Sequence, residues 1–191
     1  MTEGDLAMCA LAGKLCELLF PNFRYAWAFE ETEKQLPKEL DFRKEMVHAK
    51  RCQEIFKGHR NVKVPKLYPE ISNQRVLVMS FEPGVSVGKV REMKEMGIDL
   101  KSVAKLITEA FMEMTYTAGF VHGDPHPGNM FIRLKEGGYP GEVELVILDH
   151  GVYAELSEQS RVNYALLWRG ILDQDEQMIK ESSTALGADL H

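Results

Sequence analysis

The amino-acid sequence predicts an α+β fold in which helix exceeds sheet. Five segments have the apolar pattern of helices, at 5–19, 25–35, 41–56, 100–118 and 163–172. Runs rich in β-branched and apolar residues lie between them, at 61–64, 75–81, 130–134 and 143–148. Because a Gly- and Pro-rich turn separates the last two runs, they predict a hairpin. This mixture of helices with a small sheet is typical of the α+β class.

Proline and glycine residues end the elements of the first half. Pro21, Pro37 and Gly58 follow the first three predicted helices, where helix-breaking residues are expected. The continuous β-branched and apolar run at 75–81 predicts a buried strand, which Pro83 ends.

The segment 100–118 predicts the central buried helix, and Gly119 closes it. Its apolar side chains recur at a spacing of 3.6, which places them on one face. The predicted buried face consists of Val103, Ala104, Ile107, Ala110, Phe111, Met114 and Ala118.

Composition excludes some classes of function. The 191 residues carry a net charge of −6, so no basic excess favours binding to a nucleic-acid backbone. The 3 cysteines show no CxxC or Cys/His zinc spacing, which favours reduced thiols in a non-secretory compartment. No basic leader precedes an apolar stretch and no Arg-rich transit segment is visible, so the sequence itself shows no targeting signal.

The segment 121–130 carries the most informative residues. Its prolines and glycines exclude helix and central strand, so it predicts a rigid loop that presents polar side chains. Asp149 ends the second hairpin strand and lies close behind this loop in the chain. We therefore expect Asp124, Asn129 and Asp149 to converge.

These residue types suit phosphoryl transfer. An acid such as Asp124 orients an acceptor hydroxyl and takes its proton, while Asn129 and Asp149 supply oxygen ligands for Mg²⁺. An Asp–Asn loop, a hairpin and then Asp-x-Gly follow the order of the catalytic and metal-binding loops in kinases.

Two other interpretations are open from the residues alone. In the first, Asp124 and Asn129 only cap backbone groups of a turn. In the second, His122, His126 and His150 join the acids Asp124 and Asp149 in a dinuclear metallohydrolase site. The second lacks an earlier Asp-x-His and a late pair of histidines, so His122 and His126 are better interpreted as braces of the loop.

The loop His-Gly-Asp-Pro-His-Pro-Gly-Asn at 122–129, followed by Leu-Asp-His-Gly at 148–151, resembles the UbiB/aarF family of atypical kinases. The Glu-Leu-Asp segment at 39–41 and the run at 75–79 match the family pattern as well. The resemblance extends from about Phe20 to His191 and is strongest to the aarF-domain-containing kinase 1 branch. It implies a protein-kinase-like fold, with a remnant of the small lobe at 1–82 and a helix-rich large lobe at 83–191.

The resemblance also implies roles for individual residues. Asp124 corresponds to the catalytic acid, and Asn129 and Asp149 to the metal ligands. The residues implied on the nucleotide side are Glu39, Asp41, Glu45, Met79, Ser80 and Phe81. Among these, Glu45 corresponds to the helix glutamate that pairs with a nucleotide-binding lysine, and Glu39 and Asp41 to a family Glu-x-Asp motif. The run 79–82 would line the adenine pocket through its backbone. On sequence alone, Glu39, Asp41 and Glu45 are interpreted as solvated acids at the start of a helix, where they interact favourably with the helix dipole. The run 79–82 is then interpreted as a plain buried strand.

Two departures from the family pattern matter. His150 stands where the family usually has Phe, so the packing of the metal-binding segment is open. No glycine- or alanine-rich loop, nucleotide-binding lysine strand or Lys-x-Gly-Gln motif precedes Glu39. We therefore expect an incomplete small lobe and a poor catalyst.

The resemblance implies a Mg²⁺- and ATP-dependent kinase or ATPase, tied to mitochondrial lipid or quinone homeostasis and with lipid or membrane-associated partners. Two alternatives are a small-molecule kinase of the aminoglycoside or choline type and a non-catalytic, pseudokinase-like binding module. The Glu39–Asp41 segment disfavours the first. The missing lysine favours the second for this chain, whereas the intact Asp124, Asn129 and Asp149 disfavour it for the parent protein.

Overall fold

A computed structural model describes Met8 and residues 41–188. The helices are α1 (Phe42–Ile55), α2 (Val90–Glu95), α3 (Leu100–Met112), α4 (Glu158–Asp173) and α5 (Glu176–Ala185). The strands are β1 (Val62–Lys63), β2 (Val85–Ser86), β3 (Phe120–His122), β4 (Met130–Leu134), β5 (Val143–Ile147) and β6 (Tyr153–Glu155). Helix α3 continues as a π-helical segment, Glu113–Ala118. The predicted helices at 5–19 and 25–35 lie outside the described residues.

The strands form two small sheets. Strands β1, β5, β4 and β2 lie side by side in that order, and β3 pairs with β6. The predicted hairpin is confirmed: β4 and β5 are antiparallel, with Met130 opposite Ile147 and Leu134 opposite Val143. Gly137 adopts a positive φ of 69° in the turn between them, a conformation that favours glycine. The hairpin therefore fixes the relative position of two loops, the one that precedes β4 and the one that follows β5.

Helix α3 packs one face against the hairpin. Asp99 caps it, accepting a hydrogen bond from the Ser102 amide at 3.0 Å. The fully buried face consists of Val103, Leu106, Ala110 and Met114. The helix and much of its predicted face are confirmed, but Ala104 is exposed and Phe111 is only half-buried. The sheet covers one side of the helix, and Ile107 and Phe111 lie on the flank that turns toward α4.

The prediction of a buried strand at 75–81 is wrong. The segment is extended, but in the described part of the chain its cross-strand partner is the segment 66–68, through Tyr68 N–H to Val78 C=O and Ser80 N–H to Lys66 C=O. Val76 is 49% exposed and Phe81 is 91% exposed. Burial of a strand on both faces needs covering layers, and residues 41–188 do not supply them at Val76 and Phe81.

None of the helices between residues 41 and 188 has the length and apolar surface that crossing a bilayer requires.

The two methionines on either side of the α3 boundary give a matched test of the core. Met114 is fully buried and Met112 is 52% exposed. We expect Met114→Ala to lower the free energy of unfolding by about 2–5 kcal/mol, because truncating a buried side chain leaves a cavity. Met112→Ala should cost less than about 1 kcal/mol. Urea unfolding of both variants measures the difference, and equal losses would show that this face does not form the core.

Candidate active site

The loop that follows β3 is braced by its two histidines. The Nδ1 atom of His122 accepts a hydrogen bond from the Asp124 amide at 3.1 Å. The Nδ1 atom of His126 accepts one from the Gly128 amide, also at 3.1 Å. A Cβ atom on Gly123 would lie 2.8 Å from Val152 Cγ1, so the loop approaches the next segment too closely for a side chain there. These contacts hold the exposed Asp124 on a defined backbone.

Asn129 and Asp149 are brought together by the hairpin. They flank the pair Met130–Ile147, and the Leu148 amide donates to the Asn129 carbonyl at 2.9 Å. Asn129 Nδ2 donates to Asp149 Oδ2 at 2.8 Å. The Gly151 amide donates to Asp149 Oδ1 at 2.8 Å. Both carboxylate oxygens of Asp149 are therefore oriented by neighbours.

Asp124 lies two residues after His122, and its backbone amide bonds the ring of that histidine. Burial lowers the pKa of the His122 imidazole, and the negative charges of Asp149 and Asp124 both act against that shift. The structure thus brings together Asn129 and Asp149, and it places Asp124 in the loop that precedes Asn129. The predicted convergence of Asp124 with these two residues stays a prediction.

The oxygen donors of Asn129 and Asp149 fit Mg²⁺. Within residues 41–188, no group of three His, Cys, Asp or Glu side chains is arranged to hold a metal ion. Mg²⁺, however, is commonly held by one or two protein ligands, with phosphate oxygens and waters completing its octahedron. A carboxylate and an amide at the end of a hairpin suit such a shared site.

Helix α1 places Glu45 against the segment 149–151. Glu45 Oε1 accepts a long hydrogen bond of 3.3 Å from the His150 amide. Burial raises the pKa of Glu45, and the negative charge of Asp149 adds to that rise although the hydrogen bond opposes it. Glu45 forms no ion pair with a lysine among residues 41–188. Its predicted pairing with a nucleotide-binding lysine stays a prediction.

His150 is a buried, neutral ring. It is 1% exposed. Its Nε2–H donates to the Ile147 carbonyl at 3.2 Å, and its Nδ1 accepts from the Tyr153 hydroxyl at 2.9 Å. Tyr153 stacks on Phe120 with a centroid distance of 4.2 Å. Polar contacts at both ring nitrogens thus allow His150 to occupy the interior.

The segment 79–82 is predicted to line an adenine pocket. The backbone N–H and C=O groups along this part of the chain point alternately to its two edges. Val78 and Ser80 turn their hydrogen-bonding groups toward residues 66–68, so those of Met79 and Phe81 point to the opposite edge. The segment is anchored through Glu82, which accepts from Ser80 Oγ at 2.7 Å and from Arg133 Nη1 at 3.0 Å.

Asp41 caps helix α1. Its Oδ1 accepts from the Arg43 amide at 3.1 Å, and both carboxylate oxygens bond the Arg43 guanidinium. The Arg43 guanidinium holds the pKa of Asp41 down at about 2. The contact with Arg43 explains why an acid stands at position 41 without any need for a bound ligand. Glu39 lies outside the described residues, so the role implied for the pair stays a prediction.

Sequence reasoning missed His48 and Tyr153. His48 Nδ1 lies 3.0 Å from the His150 carbonyl oxygen, and Tyr153 bonds His150 as described above. The helical spacing of Glu45 and His48 is a signal for the first, because residues three apart share a face. No local pattern singles out Tyr153.

The described residues also form a groove away from these segments. An open apolar groove of about 870 Å³ lies between α3 and α4, lined by side chains that include Phe111, Tyr164 and Trp168. None of its lining residues belongs to the segments that carry Asp124, Asn129 and Asp149. The candidate site therefore lies outside this groove.

Comparison with known proteins identifies relatives over nearly the whole chain. The family model described as ABC1 atypical kinase-like domain matches residues 1–183. The chain is 38% identical to AarF domain-containing protein kinase 1 of Gallus gallus over 170 residues, 89% of this chain and 32% of that protein. It is 38% identical to AarF domain-containing kinase 1 of Drosophila melanogaster over 183 residues, 96% of this chain and 35% of that protein. The chain thus spans about a third of the length of these relatives. These matches confirm the resemblance inferred from the loop motifs.

A solved structure shares the fold. It is described as the complex of Rv3197 with erythromycin from Mycobacterium tuberculosis, and the match has a TM-score of 0.70 at 20% identity. The match covers 93% of this chain and 43% of the other. Together with the family match, it confirms the predicted kinase-like α+β class. The division into lobes at residues 82 and 83 stays a prediction.

The buried His150 predicts a pH-dependent stability. Burial lowers its pKa from 6.5 to about 4. Between these values the unfolded chain binds a proton that the folded chain excludes, so stability falls as the pH drops from about 6.5 toward 4. Without divalent metal, we expect this residue to lower the free energy of unfolding by up to ~2 kcal/mol between pH 7.5 and pH 5. Urea unfolding at the two pH values measures the loss.

His150→Phe serves as the control because it removes the titrating group and retains a ring. The other histidines, including His122 with its lowered pKa, remain in both proteins. The fall in stability should therefore shrink by roughly the contribution of His150. An equal fall in both proteins would show that His150 is not its source.

Proposed function

Because the chain belongs to the family of ABC1 atypical kinase-like domains, we propose that its loop residues carry out Mg²⁺- and ATP-dependent phosphoryl transfer or ATP hydrolysis. The observation that supports this most is the hydrogen bond of 2.8 Å between Asn129 and Asp149, with Asp124 in the loop that precedes Asn129. An amide and a carboxylate held together, with a second acid in the preceding loop, are the residue types of the ligand-and-base set that phosphoryl transfer uses.

Each residue has a distinct role in this proposal. Asp149 and Asn129 would hold Mg²⁺ through their side-chain oxygens, and the bound ion would neutralise charge on the phosphate oxygens. Asp124 would accept a hydrogen bond from the attacking hydroxyl or water and take its proton as the new oxygen–phosphorus bond forms. The bond from phosphorus to the bridging oxygen breaks in the same step, and ADP leaves. The exposure of Asp124 suits this role, because an acceptor must reach it from solvent.

The nucleotide base would lie against the segment 79–81. The outward-turned backbone groups of Met79 and Phe81 can pair with the edge of adenine, while Ser80 and Glu82 hold the segment in place. Glu45 would complete the phosphate end once a lysine pairs with it. These placements follow the family resemblance, and the backbone geometry is compatible with them.

A binding module without catalysis is the second candidate. In the described residues, Glu45 bonds the His150 amide instead of a lysine. A triphosphate carries several negative charges, and the carboxylates around Asp149 repel it. Mg²⁺ offsets part of this repulsion, but positioning of the phosphates by a lysine normally supplies the rest. We therefore propose that these residues alone are a weak catalyst.

The proposed cellular role rests on similarity to known proteins. The chain is similar to AarF domain-containing kinases, and on that basis we propose a role in mitochondrial lipid or quinone homeostasis, with lipid or membrane-associated partners. Since the chain spans about a third of these relatives, substrates and partners of the whole protein are proposals as well. Subcellular fractionation would test the compartment.

Binding of Mg-ADP should depend on Asp149. We expect Mg-ADP to raise the melting temperature of the 191-residue chain and expect Asp149→Asn to abolish that shift, because the substitution removes the charged metal ligand. Asp173→Asn, on α4, is a matched control and should keep the full shift. A titration of melting temperature against Mg-ADP measures all three proteins. An equal response in Asp149→Asn would exclude this carboxylate from the site.

ATP turnover should be low in the 191-residue chain and rise when a longer polypeptide supplies a lysine for Glu45. Misplacement of a reacting group by about 1 Å already costs on the order of a hundredfold in rate. Both polypeptides are assayed side by side with Asp149→Asn as background. Robust Asp149-dependent turnover by the short chain would contradict the proposed weakness and require another phosphate-binding cation.

A further inference from the structure

One face of helix α1 lies against the Asp149–Gly151 segment. Glu45, His48 and Cys52 share this face, because residues separated by three, four and seven positions align on a helix. Cys52 is fully buried there. The face therefore brings polar side chains of α1 to the backbone around Asp149.

His48 and Glu45 hold both backbone groups of one residue. The His48 ring bonds the His150 carbonyl oxygen across 3.0 Å. Since a carbonyl oxygen only accepts, Nδ1 of His48 carries the hydrogen and donates it. On the other side, the His150 amide donates to Glu45 Oε1 at 3.3 Å. Helix α1 thus fixes the peptide units before and after His150.

The second of these peptide units also orients Asp149. The His150 carbonyl and the Gly151 N–H belong to the same planar, trans unit, so they point in opposite directions. The Gly151 N–H donates to Asp149 Oδ1 at 2.8 Å. A hydrogen bond at the carbonyl end therefore sets where the N–H end points.

This peptide unit needs such a hold because a glycine follows it. Glycine rotates about its backbone bonds more freely than other residues, so Gly151 opposes rotation of the unit only weakly. The His48 ring is itself held by aromatic neighbours. It packs edge-on to Phe120 at a centroid distance of 5.8 Å and lies 5.5 Å from the Tyr153 ring.

We infer that His48 is a positioning residue for Asp149: through the His150–Gly151 peptide it holds the carboxylate in the orientation that faces Asn129. The metal-binding part of this inference rests on the proposed function. The orientation of Asp149 does not, and it can be measured without nucleotide.

The test compares two substitutions of His48. Asn places its Nδ2 donor close to where Nδ1 of His lies, so His48→Asn should keep the hydrogen bond. Leu keeps a similar volume without a donor. We expect amide hydrogen exchange at Gly151 to become roughly five- to tenfold faster in His48→Leu and to stay within about twofold in His48→Asn. The Leu145 amide, which bonds the Asn61 carbonyl at 2.9 Å, reports global stability and should not change.

Calorimetric titration with Mg-ADP supplies the second readout. Affinity should fall by a similar factor in His48→Leu and be restored in His48→Asn. Unchanged Gly151 exchange in His48→Leu would overturn the inference. Faster exchange with unchanged Mg-ADP affinity would support the orientation of Asp149 by His48 but overturn the metal-binding part, because the orientation would then not matter to the metal. If the unaltered chain binds no Mg-ADP, the proposed function fails, and Gly151 exchange alone decides whether His48 orients Asp149.

Discussion

The hydrogen bond between Asn129 and Asp149 is the contact on which the candidate site depends. It joins two loops that lie on either side of one hairpin, and it exists because β4 and β5 pair in one register. A slip of one residue would turn every side chain of a strand to the opposite face and separate the two groups. The buried hairpin residues and α3 hold that register, since Ile132, Leu145 and Ile147 are fully enclosed in the core. The core thus fixes the geometry of a polar site at its edge.

The electrostatics of the site favour a cation. Glu45 has a raised pKa, due first to burial and then to the negative charge of Asp149. The histidines of the interior do not offset this negative charge, because burial lowers the pKa of His122 and His150 and keeps both rings neutral. A divalent ion between the carboxylates and a phosphate would relieve the repulsion.

Local patterns in the sequence predict much of this arrangement. The hairpin, the long helix and the rigid loop each follow from a periodicity or from proline and glycine, and their order brings Asp149 to Asn129. The strand at 75–81 was mispredicted because its burial depends on covering layers that a local pattern does not reveal. The exposed Ala104 and half-buried Phe111 depend in the same way on where the sheet and α4 lie. His48 acts through a backbone contact to His150, 102 positions away, which no spacing rule reports.

The most direct test of the proposed metal site is a crystal structure of the chain with Mn²⁺ and ADP, in which anomalous scattering locates the ion. A metal held as proposed lies about 2.0–2.2 Å from an oxygen of Asp149 and from the side-chain oxygen of Asn129, with phosphate oxygens in its remaining positions. An ion bound elsewhere, or nucleotide bound without contact to these two residues, would contradict the assignment of the site.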